Sequence, residues 1–261
     1  MKNMTFENYQ KISSSQNSQL KLLEKLNLKK YRQELGQFMV ENFTIIVDGL
    51  ASGRDFTALF ITEEFALKHQ EKLIALQKKS KSQNFYLIDS KLNKNYSNLD
   101  TPSGVTAVYS IKPEKMDKSS VVYLNGVSDP GNLGNIMRSA LAFGFRNIML
   151  DENCVDIYNP KVISAAKDAI FKLNIAEDKT GAWLRNCPLP IYATSSHWGE
   201  DLSKFKPAKN FCLILGSESH GVSQEILSLA TKSLKIEISP EIESLNVATA
   251  AAILFYELKR K

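Results

Sequence analysis

Three separated segments of the chain carry the small and polar residues that could hold a ligand and act on it. They are Asp129-Pro130-Gly131-Asn132-Leu133-Gly134-Asn135-Ile136-Met137-Arg138, Leu215-Gly216-Ser217-Glu218-Ser219-His220-Gly221 and Glu243-Ser244-Leu245-Asn246-Val247-Ala248. We call them the first, second and third motif. Each stands where a helix begins or a strand ends, so a ligand can approach its backbone.

The first motif places an asparagine and an arginine on one helix. A loop rich in glycine and proline leads into apolar residues at helical spacing, from Leu133 to Leu141. Arg138 follows Asn132 by six residues, so we expect both side chains near one end of this helix. Taken alone, the segment could equally be a helix cap with a surface arginine.

The second and third motifs offer a tight turn and the start of a helix. Gly216 would let the flat face of a ligand approach the backbone, and Glu218 after it could orient a partner such as Arg138. Ser244 is the predicted N-cap of the last helix. A merely buried C-terminal helix would not explain a serine and Asn246 at its start.

The elements that must position these motifs alternate between strand and helix. Apolar runs predict strands at 121–124, 147–150, 191–194, 212–215 and 234–238, with helices between them and a last helix over 245–259. Such alternation predicts a parallel sheet covered by helices, with ligands bound beyond the carboxyl ends of its strands. The three motifs follow the strands at 121–124, 212–215 and 234–238, so they are expected at that edge.

Residues 1–110 predict a smaller α/β domain. Leucines at helical spacing fill 18–35, with a break at Asn27, and 65–79 is helix-like. Strands are expected at 37–41, 59–62, 85–88 and 105–111, while 44–50 could be strand or buried helix. The charged segment 111–119 is the predicted linker, and 120–261 forms the second domain.

A cluster of basic residues lies in the first domain. Residues 11–32 contain one acidic residue, Glu24, against six basic ones: Lys11, Lys21, Lys25, Lys29, Lys30 and Arg32. This excess suits a polyanion, although a solvated lysine-rich face would look the same.

Several classes of site are not supported by the sequence. It contains no P-loop, no GxGxxG after a strand, no GxSxG and no HExxH. Its three histidines are too scattered for a metal site, and its three cysteines form no CxxC pair or disulfide framework. With no apolar run long enough to span a membrane and no secretory signal, we expect a soluble, cytoplasmic protein that binds no metal and no membrane.

Together and in this order, the three motifs resemble the signature motifs of the SpoU (TrmH) family of RNA ribose 2′-O-methyltransferases, in the SPOUT superfamily. Residues 120–261 resemble the family's catalytic domain, and residues 12–110 resemble its ribosomal-protein-like RNA-binding domain. The N-terminal resemblance lies in Ile12-Ser13-Ser14 with Asn17, Lys29-Lys30-Tyr31-Arg32-Gln33-Glu34, Gly36-Gln37-Phe38-Met39-Val40-Glu41 and Thr101-Pro102-Ser103-Gly104-Val105.

The resemblance implies a C-terminal trefoil knot, S-adenosylmethionine as cofactor, and a homodimer with the active site at its interface. It implies catalytic roles for Asn132, Arg138, Glu218, Ser244 and Asn246. It places the adenosine against the backbone near Thr194, Leu215, Gly216, Ile236 and Leu245. It also gives weight to RNA binding by Lys29, Lys30 and Arg32. Two roles stay open for Arg138, which could accept the hydroxyl proton or hold the adjacent phosphate.

The sequence departs from the family's pattern at two places. Ile236-Glu237-Ile238, followed by Pro240, stands where Ile-Pro-Met and a glycine are usual, and Glu41-Asn42 stands where Glu-Gly is usual. The resulting prediction is a methyltransferase acting on a ribose 2′-hydroxyl of rRNA, most simply 23S rRNA. The alternatives are a tRNA 2′-O-methyltransferase and a catalytically silent RNA-binding protein.

Overall fold

The computed structural model describes residues 9–112, 116–217 and 221–260. The chain divides into two compact units, which are described separately below. The first contains residues up to Lys112 together with Tyr158–Ser164, and the second contains Pro113–Ile157 and Ala165–Lys261. None of the helices in the described ranges combines the length and apolar character that crossing a membrane requires.

The first unit is built on a five-stranded sheet. Its strands are β1 (Gln10–Lys11), β2 (Gln37–Val40), β3 (Ala58–Thr62), β4 (Phe85–Ile88) and β5 (Val105–Ser110). Its helices are α1 (Ser18–Leu26), α2 (Lys29–Leu35), α3 (Phe43–Ala51), α4 (Glu63–Lys68), α5 (Gln70–Lys79) and α6 (Ser90–Tyr96). The strand order is β1-β4-β3-β5-β2, with β5 antiparallel to both of its neighbours.

Local sequence explains why the helices of this unit begin and end where they do. The predicted break at Asn27 is present, because α1 ends at Leu26 and α2 starts at Lys29. The ambiguous segment 44–50 is helical. Asn42 caps it by accepting a hydrogen bond from the Ile45 N–H at 3.2 Å. The asparagine that departs from the family's pattern therefore has a structural task.

The second unit is built on a seven-stranded sheet in which every pairing is parallel. Its strands are β6 (Val121–Asn125), β7 (Asn147–Asp151), β8 (Asn174–Asp178), β9 (Ile191–Thr194), β10 (Glu200–Asp201), β11 (Cys212–Gly216) and β12 (Lys232–Lys235). The helices of this later part of the chain are α7 (Pro130–Ala142), α8 (Pro160–Ala166), α9 (Ala169–Lys172), α10 (Ala182–Arg185), α11 (Gln224–Leu227) and α12 (Val247–Arg260). The order is β10-β12-β9-β11-β6-β7-β8.

The parallel sheet confirms the predicted fold class, although several elements differ from the prediction, three of them as follows. The strand predicted at 234–238 lies at Lys232–Lys235, so Ile236 and Ile238 follow it. Residues 174–178 form a strand that the apolar pattern did not indicate, because only its Asp178 is buried. The helix predicted over 65–79 is divided at His69. The trefoil knot stays a prediction.

Candidate active site

The first motif forms the first three turns of α7, immediately after β6. The Asp129 carboxylate caps the helix by accepting from the Asn132 N–H at 2.7 Å, and Pro130 takes the first helical position. Asn132 therefore lies in the first turn. Arg138 lies on the exposed side of the helix, about 9 Å further along the axis at 1.5 Å per residue. The backbone of Arg138 thus lies in the third turn of the helix, whereas that of Asn132 lies in the first.

Asn246 brings the third motif to the first. Its Nδ2 donates to Oδ1 of Asn132 at 3.0 Å, across 114 positions of sequence. Its Oδ1 accepts from the Ala248 and Thr249 N–H groups at 2.9 and 3.3 Å, which caps α12. The prediction that Ser244 is the N-cap is wrong, because the helix begins three residues later and Asn246 fills that position.

The two ends of the second motif lie close together. Ser217 and Gly221 exchange two backbone hydrogen bonds of 3.1 and 2.9 Å. A Cβ on Gly216 would come within 2.1 Å of the Gly221 carbonyl carbon and 2.2 Å of the Val222 nitrogen. The chain's own backbone therefore requires glycine here, and the approach of a ligand to Gly216 stays a prediction. Glu218 falls outside the described residues, so its role stays a prediction.

A cavity of about 460 Å³ lies among the second and third motifs and the loop after β9. Its wall includes every residue predicted to touch a cofactor: Thr194, Leu215, Gly216, Ile236 and Leu245. Ser244 and Glu243 border it as well, and α12 contributes Val247 and Leu254. The lining thus combines aliphatic side chains with hydroxyls and a carboxylate, a composition typical of small-molecule sites of this size.

The loop after β9 is a part of the cavity that our sequence reasoning missed. Ser195, Ser196, His197 and Trp198 all border the cavity, and so does Gln224 beyond the second motif. One signal could have indicated them, since they follow the carboxyl end of a predicted parallel strand. We had considered only Thr194 from that strand.

A partly buried polar network holds the strand ends beside the motifs. Asn125 donates from Nδ2 to Asp151 at 2.7 Å, and its Oδ1 accepts from the Ser223 N–H at 3.0 Å. Asp151 also accepts from the Gly126 N–H at 3.0 Å. These bonds tie the ends of β6 and β7 to the segment after the second motif, so the loops around the cavity are held by side chains as well as by the sheet.

The geometry suits a reaction that depends on alignment. Asn132 and Asn246 present paired amides at the start of two helices, and the exposed guanidinium of Arg138 stands on the same helix as Asn132. Within the described ranges, no group of three or more His, Cys, Asp or Glu side chains could hold a metal ion. The arrangement can bind an organic cofactor and orient a polar group beside it.

The predicted RNA-binding residues of the first unit divide into two kinds. Lys29 and Lys30 are exposed. Arg32 is only 4% exposed, and its Nη1 donates to the carbonyl oxygens of Leu26 and Asn27 at 2.7 and 2.9 Å. The prediction that Arg32 contacts RNA at the surface is therefore wrong, because its guanidinium hydrogen-bonds to carbonyl groups at the end of α1 instead.

Comparisons with known proteins agree with this arrangement. The SpoU rRNA Methylase family model matches residues 119–256, and an MRM3-like substrate binding domain matches residues 17–107. The 23S rRNA 2′-O-methyltransferase RlmP of Bacillus subtilis is 26% identical, over 95% of this chain and 98% of its own. Mitochondrial rRNA methyltransferase 3 of Xenopus tropicalis is 27% identical, over 89% of this chain and 72% of its own.

Solved structures show the same fold. The AdoMet-bound rRNA methyltransferase from Sinorhizobium meliloti superposes with a TM-score of 0.83 at 24% identity, over 97% of this chain and 98% of its own. The family model spans more than half of the chain and includes all three motifs. The chain belongs to the SpoU rRNA Methylase family.

Proposed function

We propose that this protein transfers a methyl group from S-adenosylmethionine to a ribose 2′-hydroxyl of rRNA, most simply 23S rRNA. Residues 1–110 would bind the RNA, 111–119 would link the domains, and 120–261 would catalyse the transfer. The protein would act in the cytoplasm as a homodimer. The names of the relatives, several of which are rRNA methyltransferases, support rRNA over tRNA as the substrate.

The bond between Asn132 and Asn246 carries this proposal. It joins the first and third motifs at 3.0 Å, while the cavity beside the third motif is lined by the second. The cavity's volume of about 460 Å³ and its mixed walls fit a nucleoside cofactor with a polar amino-acid tail. The expected cofactor contacts are Thr194, Leu215, Gly216, Ile236 and Leu245.

The chemistry requires little of the protein besides alignment and proton removal. When bound, the sulfonium cofactor supplies an electrophilic methyl group. A protonated ribose hydroxyl is a poor nucleophile, so the amides of Asn132 and Asn246 would orient it. Ser244 and Glu218 complete the proposed set. Arg138 would contact the substrate through its exposed guanidinium, either at the hydroxyl or at the adjacent phosphate.

Arg138→Ala tests whether Arg138 takes part in methyl transfer. Arg138→Lys separates its two possible roles, which are accepting the hydroxyl proton and holding the phosphate. We expect alanine to abolish methyl transfer while calorimetry still detects cofactor binding. A guanidinium normally keeps its proton in proteins. If Arg138 holds a phosphate, lysine retains the charge and restores turnover at a higher KM for RNA. If Arg138 accepts the proton, a lysine amine can also do so because it loses its own proton more readily than a guanidinium; the pH dependence of kcat then shifts to lower pH, whereas a phosphate contact leaves that pH profile unchanged.

Arg146→Ala is the matched control, because Arg146 is an exposed arginine of the same unit that lies beyond the end of α7. It should leave turnover unchanged. Unchanged turnover in Arg138→Ala would overturn the assignment. Absence of cofactor binding by the unmodified protein at millimolar concentration would favour the silent RNA-binding alternative.

A further inference from the structure

Trp198 is a large aromatic side chain left open at the edge of the cavity. It borders the cavity, yet 49% of its surface is exposed. The other tryptophan of the chain, Trp183, is partly buried and stacks on Tyr123 with ring centroids 6.2 Å apart. Because the indole both borders the cavity and stays half exposed, it offers a flat apolar surface to a ligand bound there.

The loop that carries Trp198 is held at both of its ends. Ser195 Oγ accepts from the backbone N–H groups of His197 and Trp198 at 3.2 and 3.3 Å, which closes the turn after β9. Gly199 has a φ of +127°, and a Cβ there would come within 2.7 Å of the Ser233 carbonyl oxygen. The backbone on the far side of Trp198 therefore lies directly against β12. The side chain is presented from a fixed position.

Besides Trp198, the only aromatic side chain among the described residues that line the cavity is the smaller imidazole of His197. The rest of the lining mixes aliphatic side chains, such as Leu215, Leu227 and Ile236, with polar ones, such as Ser217 and Glu243. A purine ring packed on the aliphatic side chains would leave its second face for another flat partner. Among the described lining residues, the indole of Trp198 is the largest flat apolar surface that could cover that face.

We propose that the indole of Trp198 covers the adenine ring of the bound methyl donor and so contributes directly to its affinity. This inference rests on the proposed function, because it assigns the ligand of the same cavity. A base can stack on an aromatic side chain whatever its identity, and removing that side chain lowers affinity by about tenfold or more.

Fluorescence can test the contact because the chain has only two tryptophans. Trp183→Phe leaves Trp198 as the single reporter and keeps an aromatic ring beside Tyr123. S-adenosylmethionine, S-adenosylhomocysteine and 5′-methylthioadenosine should all quench the emission of this variant, since all three contain adenine. Methionine should not. Trp198→Ala should raise the Kd for S-adenosylmethionine in calorimetry by about tenfold, and Trp198→Phe should recover most of that loss.

The outcomes separate this inference from the proposed function. Unchanged emission in Trp183→Phe at a cofactor concentration that calorimetry shows to be saturating would overturn it, as would an unchanged Kd in Trp198→Ala. Quenching by S-adenosylmethionine alone would also overturn it, because the indole would then face the sulfonium through a cation–π contact. In each of these cases the methyltransferase function stands. If the unmodified protein binds no cofactor at all, the proposed function fails first.

Discussion

Asn246 has two tasks that different substitutions can separate. Its Oδ1 caps α12, and its Nδ2 holds Asn132. Asn246→Ser keeps a capping oxygen, but its shorter side chain cannot reach Asn132. Asn246→Ala loses both the capping oxygen and the bond to Asn132. We expect methyl transfer to fall by about tenfold or more in both variants, which corresponds to about 1.4 kcal/mol of activation free energy.

Thermal or denaturant unfolding supplies the control for Asn246. Only Asn246→Ala should lose stability, by about 1 kcal/mol, the usual cost of removing a helix cap. Full activity in Asn246→Ser would mean that the bond to Asn132 is dispensable for the reaction. Equal destabilisation in both variants would instead assign Asn246 to the fold.

Residue types at the site were predictable, but the reasons for some of them were not. Gly216 must be glycine because a Cβ there would come within 2.2 Å of the backbone of Gly221 and Val222, which approach Gly216 only when the chain folds. Likewise, Ser244 and Asn246 are both good capping residues. Sequence alone does not say which of them stands at the start of α12, because helix ends depend on packing.

At the scale of elements, α1 and α2 depend on Arg32, and this dependence can be tested against their exposed lysines. Arg32→Met keeps the buried aliphatic stem but leaves the carbonyl groups of Leu26 and Asn27 without the guanidinium. We expect a loss of about 1–3 kcal/mol in the free energy of unfolding. The double variant Lys29→Ala, Lys30→Ala should unfold like the original protein, since both side chains are exposed.

RNA binding, unlike stability, should depend on the exposed lysines. The Lys29, Lys30 double variant should bind RNA more weakly, and its dependence on salt should be shallower by about 0.7 in log–log slope for each lost phosphate contact. Lys78→Ala, Lys79→Ala is the matched control, because it removes an adjacent exposed pair from α5, outside the basic cluster. The same salt slope in both double variants would assign Lys29 and Lys30 to a solvated face.

Elements with a strong apolar pattern were predictable, and weakly patterned ones were not. The strands at Val121–Asn125 and Cys212–Gly216 are almost wholly buried and read as continuous apolar runs, as expected within a parallel sheet. The strand β12 has a single buried residue, Leu234. Its position is therefore set by pairing with β9 and β10 rather than by hydrophobicity. The prediction placed it too late in the sequence because Ile236 and Ile238 are apolar.

For the molecule as a whole, the order of the three motifs was the most informative sequence feature. It predicted the family, and the match of the family model over residues 119–256 confirms it. No periodicity indicates that residues 132 and 246 lie within hydrogen-bond distance, because a contact across 114 positions depends on the complete path of the chain. The strand pattern and the family resemblance predicted that the motifs converge, but not this bond.

The choice of RNA is a property of the whole protein, so it is best tested in cells. We expect that ribose-methylation mapping in a strain lacking this protein will show one 2′-O-methyl mark missing from 23S rRNA, with tRNA marks unchanged. The unmodified gene should restore the mark. Arg138→Ala should not, because it removes the proposed catalytic side chain while it leaves the fold and the RNA-binding unit intact. A mark missing from tRNA would establish the alternative substrate. Complete rRNA and tRNA marks, together with RNA binding by the purified protein, would establish the silent module, since binding would then occur without transfer.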